Sequence, residues 1–172
     1  MRIIGIDPGS RCTGVGIIDT DARGRMQPVF HTALKVGQEA TFPLRLKRIF
    51  DELGTVIETY APTVAGVERV FVAHNVDSAL KLGQARGAAI CALSCHALTV
   101  HEYAATEVKQ AVVGKGRAAK EQVQHMVALL LGLDLPLQAD AADALAIAIT
   151  HAHMQRGRER LQMGQMTWSR RR

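Results

Sequence analysis

Arg2-Ile3-Ile4-Gly5-Ile6-Asp7-Pro8-Gly9-Ser10 is the stretch on which the fold turns. An apolar run of strand length stops on an acid, and Pro8-Gly9-Ser10 is turn chemistry. Thr13 to Asp19 reads as a second apolar strand, and Asp19-Thr20-Asp21 with Gly24 marks a turn into a third, over roughly 26–36. Three strands in a row predict an antiparallel meander. The period then changes. Leu46, Ile49, Phe50, Leu53 and Ile57 fall at helical spacing, with Thr41 as cap and Pro43 in the first turn. Pro62 ends that helix, and Thr63 to Glu68 is a fourth strand that again stops on an acid.

Residues 76–95 form a long helix rich in Ala and Gly, and Leu98 to His101 a short fifth strand. Helices follow at about 105–113, 118–132 and 139–155, broken by Gly114-Lys115-Gly116 and Leu133-Asp134-Leu135-Pro136. The predicted class is α/β: a mixed five-stranded sheet, meander plus parallel strands, with helices on both faces. A helix joining two strands of one sheet favours a right-handed parallel crossover. Strands one and four then lie side by side, with their carboxyl ends together where open α/β sheets place their sites. Residues 1–155 are expected to form one domain and 156–172 a basic, flexible tail.

Those two ends carry Asp7 and Glu68, each closing an otherwise apolar strand. An isolated buried carboxylate costs several kcal/mol (~3–5) unless paired or metal-bound, and two together repel and raise one pKa. A divalent cation removes the conflict. Asp140 and Asp143 open the last helix at i, i+3, on one face, among neighbours that are nearly all alanine. That face can lie close against the sheet. Acids in a first helical turn also serve the helix dipole or a cap. Four acids converging from two strand ends and one helix start suit Mg²⁺, a hard ion that takes oxygen ligands. They suit two-metal phosphodiester cleavage, with ions about 3.5–4 Å apart.

Competing motifs are absent: no phosphate-binding P-loop, no G-x-S-x-G elbow, no zinc-finger spacing. His151 and His153 point to different helix faces and read as surface residues. Cys91 and Cys95, in an apolar stretch, read as packed core thiols, and the odd count of three cysteines argues against a disulfide framework. No apolar run is long enough to span a bilayer, so no membrane association and a cytoplasmic location are expected. Charge is unevenly placed. Six of 21 bases but one of 16 acids follow Gln155, so the tail supplies the net +5 and the body is neutral. Within the body one basic cluster stands out, Lys109, Lys115, Arg117 and Lys120, suited to a phosphate-bearing partner.

The chain resembles the RuvC family of Holliday-junction resolvases, whose fold is ribonuclease-H-like. The resemblance is carried by Gly5-Ile6-Asp7-Pro8-Gly9-Ser10-Arg11, Val67-Glu68-Arg69-Val70-Phe71, Asn75 to Gly87, Glu102-Tyr103-Ala104, Val108 to Gly114 and Gln138 to Leu145. It runs in order over residues 1 to about 155. It implies a homodimer that binds four-way junction DNA and nicks two strands of like polarity. It implies two Mg²⁺ ions per site, with Mn²⁺ able to substitute, and work with a RuvA–RuvB branch-migration complex. The family's four acids fall on Asp7, Glu68, Asp140 and Asp143. Lys109 and Lys120 match basic positions near the scissile phosphate, and Phe71 an aromatic that enters the junction centre. An aromatic there can stack on an unpaired base, worth about 1–3 kcal/mol. Arg69, His74, Lys81, Arg86, Lys115 and Arg117 complete the candidate DNA contacts. His74 and Arg69 depart from the family, which often carries Lys and Gln there.

Two other functions remain open at this stage. One is a non-catalytic junction-binding protein using the same basic cluster. The other is an actin-like or sugar-kinase phosphotransferase, whose phosphate loop Gly5-Ile6-Asp7-Pro8-Gly9 also resembles; the length for a second lobe is missing.

Overall fold

The computed structural model describes residues 1–70 and 75–169. Its sheet opens with three antiparallel strands, β1 (Arg2–Asp7), β2 (Cys12–Thr20) and β3 (Met26–Lys35). Their turns are held by side chains. Thr13, fully buried, donates its hydroxyl to the Gly9 carbonyl at 3.1 Å, and the Asp21 carboxylate accepts the amides of Arg23 and Arg25 at 2.9 Å. Helix α1 (Phe42–Tyr60) leads to β4 (Val64–Glu68), which pairs parallel to β1. Helix α2 (Val76–Cys95) leads to β5 (Thr99–Tyr103), parallel to β4. The strand order β3-β2-β1-β4-β5 sets the catalytic candidates' two strands side by side, as the crossover argument required.

Thr41 is the N-cap of α1 in position only, since its side chain makes no capping bond. Asn75 does cap α2, accepting the Ser78 amide at 3.2 Å. Helices α3 (Ala105–Val113) and α4 (Lys120–Leu131) end on Gly114 and Gly132 with positive φ, and α5 (Ala139–Ser169) follows.

Two cores form because strand side chains alternate between faces. Ile4, Ile6, Val15, Ile17, Ala65 and Val67 pack under α1 and α2, against Ile49, Leu53, Ala85 and Leu93. Ile3, Ile18, Val64 and Tyr103 pack under α3, α4 and α5, against Val108, Val127, Leu145 and Ile149. Each fully buried Ile or Leu adds roughly 1.5–3 kcal/mol of driving force. Among the described residues, no helix is long and apolar enough to cross a membrane.

Three expectations are corrected. The last helix runs on to Ser169 instead of ending near 155: beyond Gln155 the chain still offers Arg, Glu, Leu, Gln and Met, all good helix formers. Cys91 and Cys95 are exposed, because α2 buries its alanine face (Ala85, Ala89, Ala92) and turns the cysteine face outward. His151 is buried at 2% exposure, while His153 is exposed on another face.

Candidate active site

The odd-numbered residues of β1, Ile3, Gly5 and Asp7, face α5, as do Gly14 and Gly16 of β2 and Val64, Gly66 and Glu68 of β4. Three of these strands put glycine where α5 crosses them. A Cβ built on Gly5 would lie 2.1 Å from the Ala144 carbonyl oxygen, and one on Gly14 would lie 2.0 Å from that of Asp140. The helix backbone thus rests on the sheet backbone, with alanines 141, 144 and 148 completing the fit. This close approach brings Asp140 and Asp143, on the first turns of α5, over the strand-end acids Asp7 and Glu68. The alanines of α5 were read from the sequence as permitting close packing; the strand glycines were missed. Their signal was present, as Gly two residues before Asp7 and Gly two before Glu68.

The electrostatics follow from this crowding. Burial pushes the Asp7 carboxyl up to about 8, and the charges of Glu68, Asp143 and Asp140 add to the shift. Glu68 is also raised, first by burial, with its hydrogen bond to Asp7 acting the other way. A proton held on Asp7 and donated to Glu68 accounts for both directions. Lys120 reaches Asp143 at 2.6 Å, and that bond holds the ammonium above its ordinary pKa. The Cys12 thiol is pushed up to about 11 by burial and by its hydrogen bond to Asp140, so it remains protonated. Lys109 and Lys120 join Glu68 and Asp143 in lining a cleft of about 190 Å³ whose apolar wall includes Val108, Val123 and Ile147.

Four carboxylates crowded together, with Asp7 and Glu68 both raised, are a donor set fitted to a hard divalent cation. Among the described residues, no three such side chains already converge on a single point; Asp143 is turned to Lys120 instead.

The remaining candidates separate. Lys115 and Arg117 are exposed on the loop between α3 and α4. Arg69 pairs with Glu107 at 2.6 Å beside the site, and Lys81 pairs with Asp77 at 2.6 Å on the outer part of α2. Arg86 is turned inward: it donates to the Glu68 carbonyl at 3.1 Å and pairs with Glu102 at 2.7 Å. Phe71 and His74 lie outside the described residues.

A family model described as crossover junction endodeoxyribonuclease RuvC matches residues 3–151. The chain belongs to the RuvC family. It is 58% identical over 172 residues to the crossover junction endodeoxyribonuclease RuvC of Xanthomonas campestris pv. campestris, covering 99% of each chain. The solved structure of T. thermophilus RuvC in complex with Holliday junction substrate superposes with a TM-score of 0.85 at 34% identity, over 91% of this chain and 95% of that one. The yeast mitochondrial Holliday junction resolvase Ydc2 shares the fold alone, with a TM-score of 0.67 at 13% identity over 89% and 79% of the two chains. The α/β architecture is therefore ribonuclease-H-like. This RuvC-family chain is a crossover junction endodeoxyribonuclease, an enzyme of DNA recombination and repair that resolves Holliday junctions. RuvC nucleases are metal-dependent. The family assignment removes the phosphotransferase and the non-catalytic binder as primary readings.

Proposed function

We propose that Asp7, Glu68, Asp140 and Asp143 hold two Mg²⁺ ions and cut one strand of a four-way DNA junction, with Mn²⁺ able to substitute. The observation that carries this reading is the crowding of half-buried Asp7 with Glu68, Asp140 and Asp143 at the strand ends, which raises the Asp7 carboxyl. The site is built for more positive charge than the chain itself supplies. Bound there, the ions supply Lewis acidity that activates a water and stabilises the leaving oxygen of an in-line displacement. The chain's own residues do the rest. The buried strand ends fix the Asp7 and Glu68 carboxylates, and the helix resting on glycine fixes Asp140 and Asp143 above them. Lys120 and Lys109, lining the same cleft, attract the scissile phosphate and hold it against the acids. Loading requires Asp143 to exchange its Lys120 partner for the ion.

Resolution needs two cuts, so a homodimer is proposed, joined through the outward face of α2. That face carries Val76 and Leu80, both more than half exposed, with Gly83 and Gly87 leaving open space for a second backbone. The two sites then nick strands of like polarity symmetrically. Phe71, His74, Arg69, Lys81, Lys115 and Arg117 are proposed to contact the junction. The nuclease domain is proposed to span residues 1–155, and the six arginines of 156–172 add positive charge that favours a polyanionic partner. A cytoplasmic setting and hand-over from a RuvA–RuvB complex complete the proposal.

The test is cleavage of an end-labelled synthetic four-way junction, duplex and single strand, with Mg²⁺ or EDTA. Paired nicks at symmetric positions in the junction, only with metal, support the reading. Tight junction binding with no cleavage in Mg²⁺ or Mn²⁺ would overturn it.

A further inference from the structure

Arg86 belongs to helix α2, yet its guanidinium reaches two neighbouring strands. Its Nε donates to the backbone carbonyl of Glu68 at 3.1 Å, and its Nη2 pairs with Glu102 Oε1 at 2.7 Å. Glu102 stands opposite Val67 in the β4–β5 register, and Glu68 stands opposite Tyr103. Alternation sends the Val67 and Glu102 side chains to the α2 side of the sheet, and the Glu68 carboxylate to the α5 side. Arg86 therefore holds Glu68 from behind, by its main chain, while the carboxylate faces Asp7 and Asp143 on the front. The Arg86 side chain is 21% exposed and occupied on two edges, a poor disposition for gripping a phosphate.

The position matters because Glu68 is the last residue of β4, where the strand's own ladder bonds run out. One bond does continue past it, from the Arg69 amide to the Tyr103 carbonyl at 2.8 Å. Past residue 70 the chain enters the segment outside the described residues. The Glu68 carbonyl is thus held by a side chain from another element, at the point where regular strand structure stops. A fork-shaped guanidinium can serve the carbonyl and the Glu102 carboxylate together; an ammonium cannot hold both edges in one plane.

We infer that Arg86 is a positioning residue for the Glu68 carboxylate, acting through the Arg86–Glu102 pair and the Glu68 carbonyl to set the affinity of the site for its divalent cation. The inference rests on the proposal that Glu68 is a metal ligand. It differs from the expectation that Arg86 touches DNA, and the two make opposite demands on experiment.

The variants are Arg86→Lys, Glu102→Gln and, as a control on the underlying reading, Glu68→Gln. Mn²⁺ binding is measured on the DNA-free protein by electron paramagnetic resonance. Junction binding is measured in EDTA across a salt series, and thermal unfolding confirms that each variant folds. Arg86→Lys keeps the charge and should weaken Mn²⁺ binding by about 10-fold or more, as loss of a group supporting a metal ligand does. Its junction affinity and salt slope should stay within about twofold of wild type, since no phosphate contact is lost. Glu102→Gln should shift Mn²⁺ binding in the same direction by at most about 5-fold, the scale of a half-exposed ion pair. Cleavage by both should recover toward the wild-type rate at saturating Mn²⁺.

Unchanged Mn²⁺ affinity in a folded Arg86→Lys overturns the inference, provided Glu68→Gln does lose metal. Weakened junction binding with a smaller salt slope overturns it in favour of a DNA contact. If Glu68→Gln itself binds Mn²⁺ and cleaves like wild type, the reading of Glu68 has failed.

Discussion

The close seating of α5 on the sheet makes Gly5→Ala the most informative single substitution. The added Cβ would lie 2.1 Å from the Ala144 carbonyl oxygen, 2.7 Å from the Ala148 amide nitrogen and 3.1 Å from the Ala148 Cβ. Real Cβ atoms essentially never approach a heavy atom within 3.0 Å, so β1 and α5 must part by 0.9 Å or more along that contact. The atoms struck are backbone, which cannot rotate away. Overpacking of this kind costs about 1–3 kcal/mol, equivalent to a fall in Tm of about 2–12 °C in a chain of this size. The functional effect should be larger than the stability effect. Gly5 lies two residues from Asp7, and Ala144 follows Asp143 directly, so the parting occurs between the acids proposed to share ions. A displacement near 1 Å costs about 100-fold in rate. The assay is single-turnover cleavage of a four-way junction at saturating Mg²⁺, beside thermal unfolding of the same preparation. Gly157→Ala is the control: it lies within α5 with nothing within 4 Å of a Cβ, so the rate should hold and Tm should not fall. Wild-type cleavage and unchanged Tm in Gly5→Ala would refute the claim that glycine sets the distance between the acid pairs.

Other consequences can be measured separately. Asp7 titrates near 8 when folded against 3.8 as a free side chain, so the native state keeps a proton that the unfolded chain has already released. Stability should therefore fall as pH rises from about 4 to about 8 and level off above, and Asp7→Asn or added Mg²⁺ should flatten the slope; an identical pH profile of Tm in Asp7→Asn would contradict this. Lys120→Met removes the cation that occupies Asp143, so Mn²⁺ should bind up to about 5-fold tighter while cleavage slows; weaker Mn²⁺ binding would count against the exchange at Asp143. Tyr103→Phe deletes a buried hydroxyl 2.7 Å from His151 Nδ1 and should cost about 1–3 kcal/mol in urea unfolding. No loss there would mean that the buried pair contributes nothing to joining β5 and α5.

Much of this was legible in residue order because the strand ends are self-announcing. Apolar runs stopping on Asp7 and Glu68, with a helix between them, imply neighbouring parallel strands, and the observed order β3-β2-β1-β4-β5 follows. What the pattern did not disclose was decided by three-dimensional packing. The α2 segment from Ala88 to Leu93 is apolar all round, so composition could not say that its alanine face would go in and Cys91 and Cys95 out. His151 looked like one of two surface histidines until Tyr103 supplied a buried partner for it. That partner lets burial hold the imidazole neutral, at a pKa of about 4. Arg86 stands among the candidate DNA contacts on sequence alone; Glu102 and the Glu68 carbonyl, distant in sequence, turn it inward.

The carboxylate site itself is best tested by Asp7→Asn, which keeps the side chain's size and removes its charge. Four-way junction binding in EDTA and cleavage in Mg²⁺ should be measured on the same protein. The account expects binding within about twofold of wild type and no detectable nicking. Full cleavage by Asp7→Asn would contradict it.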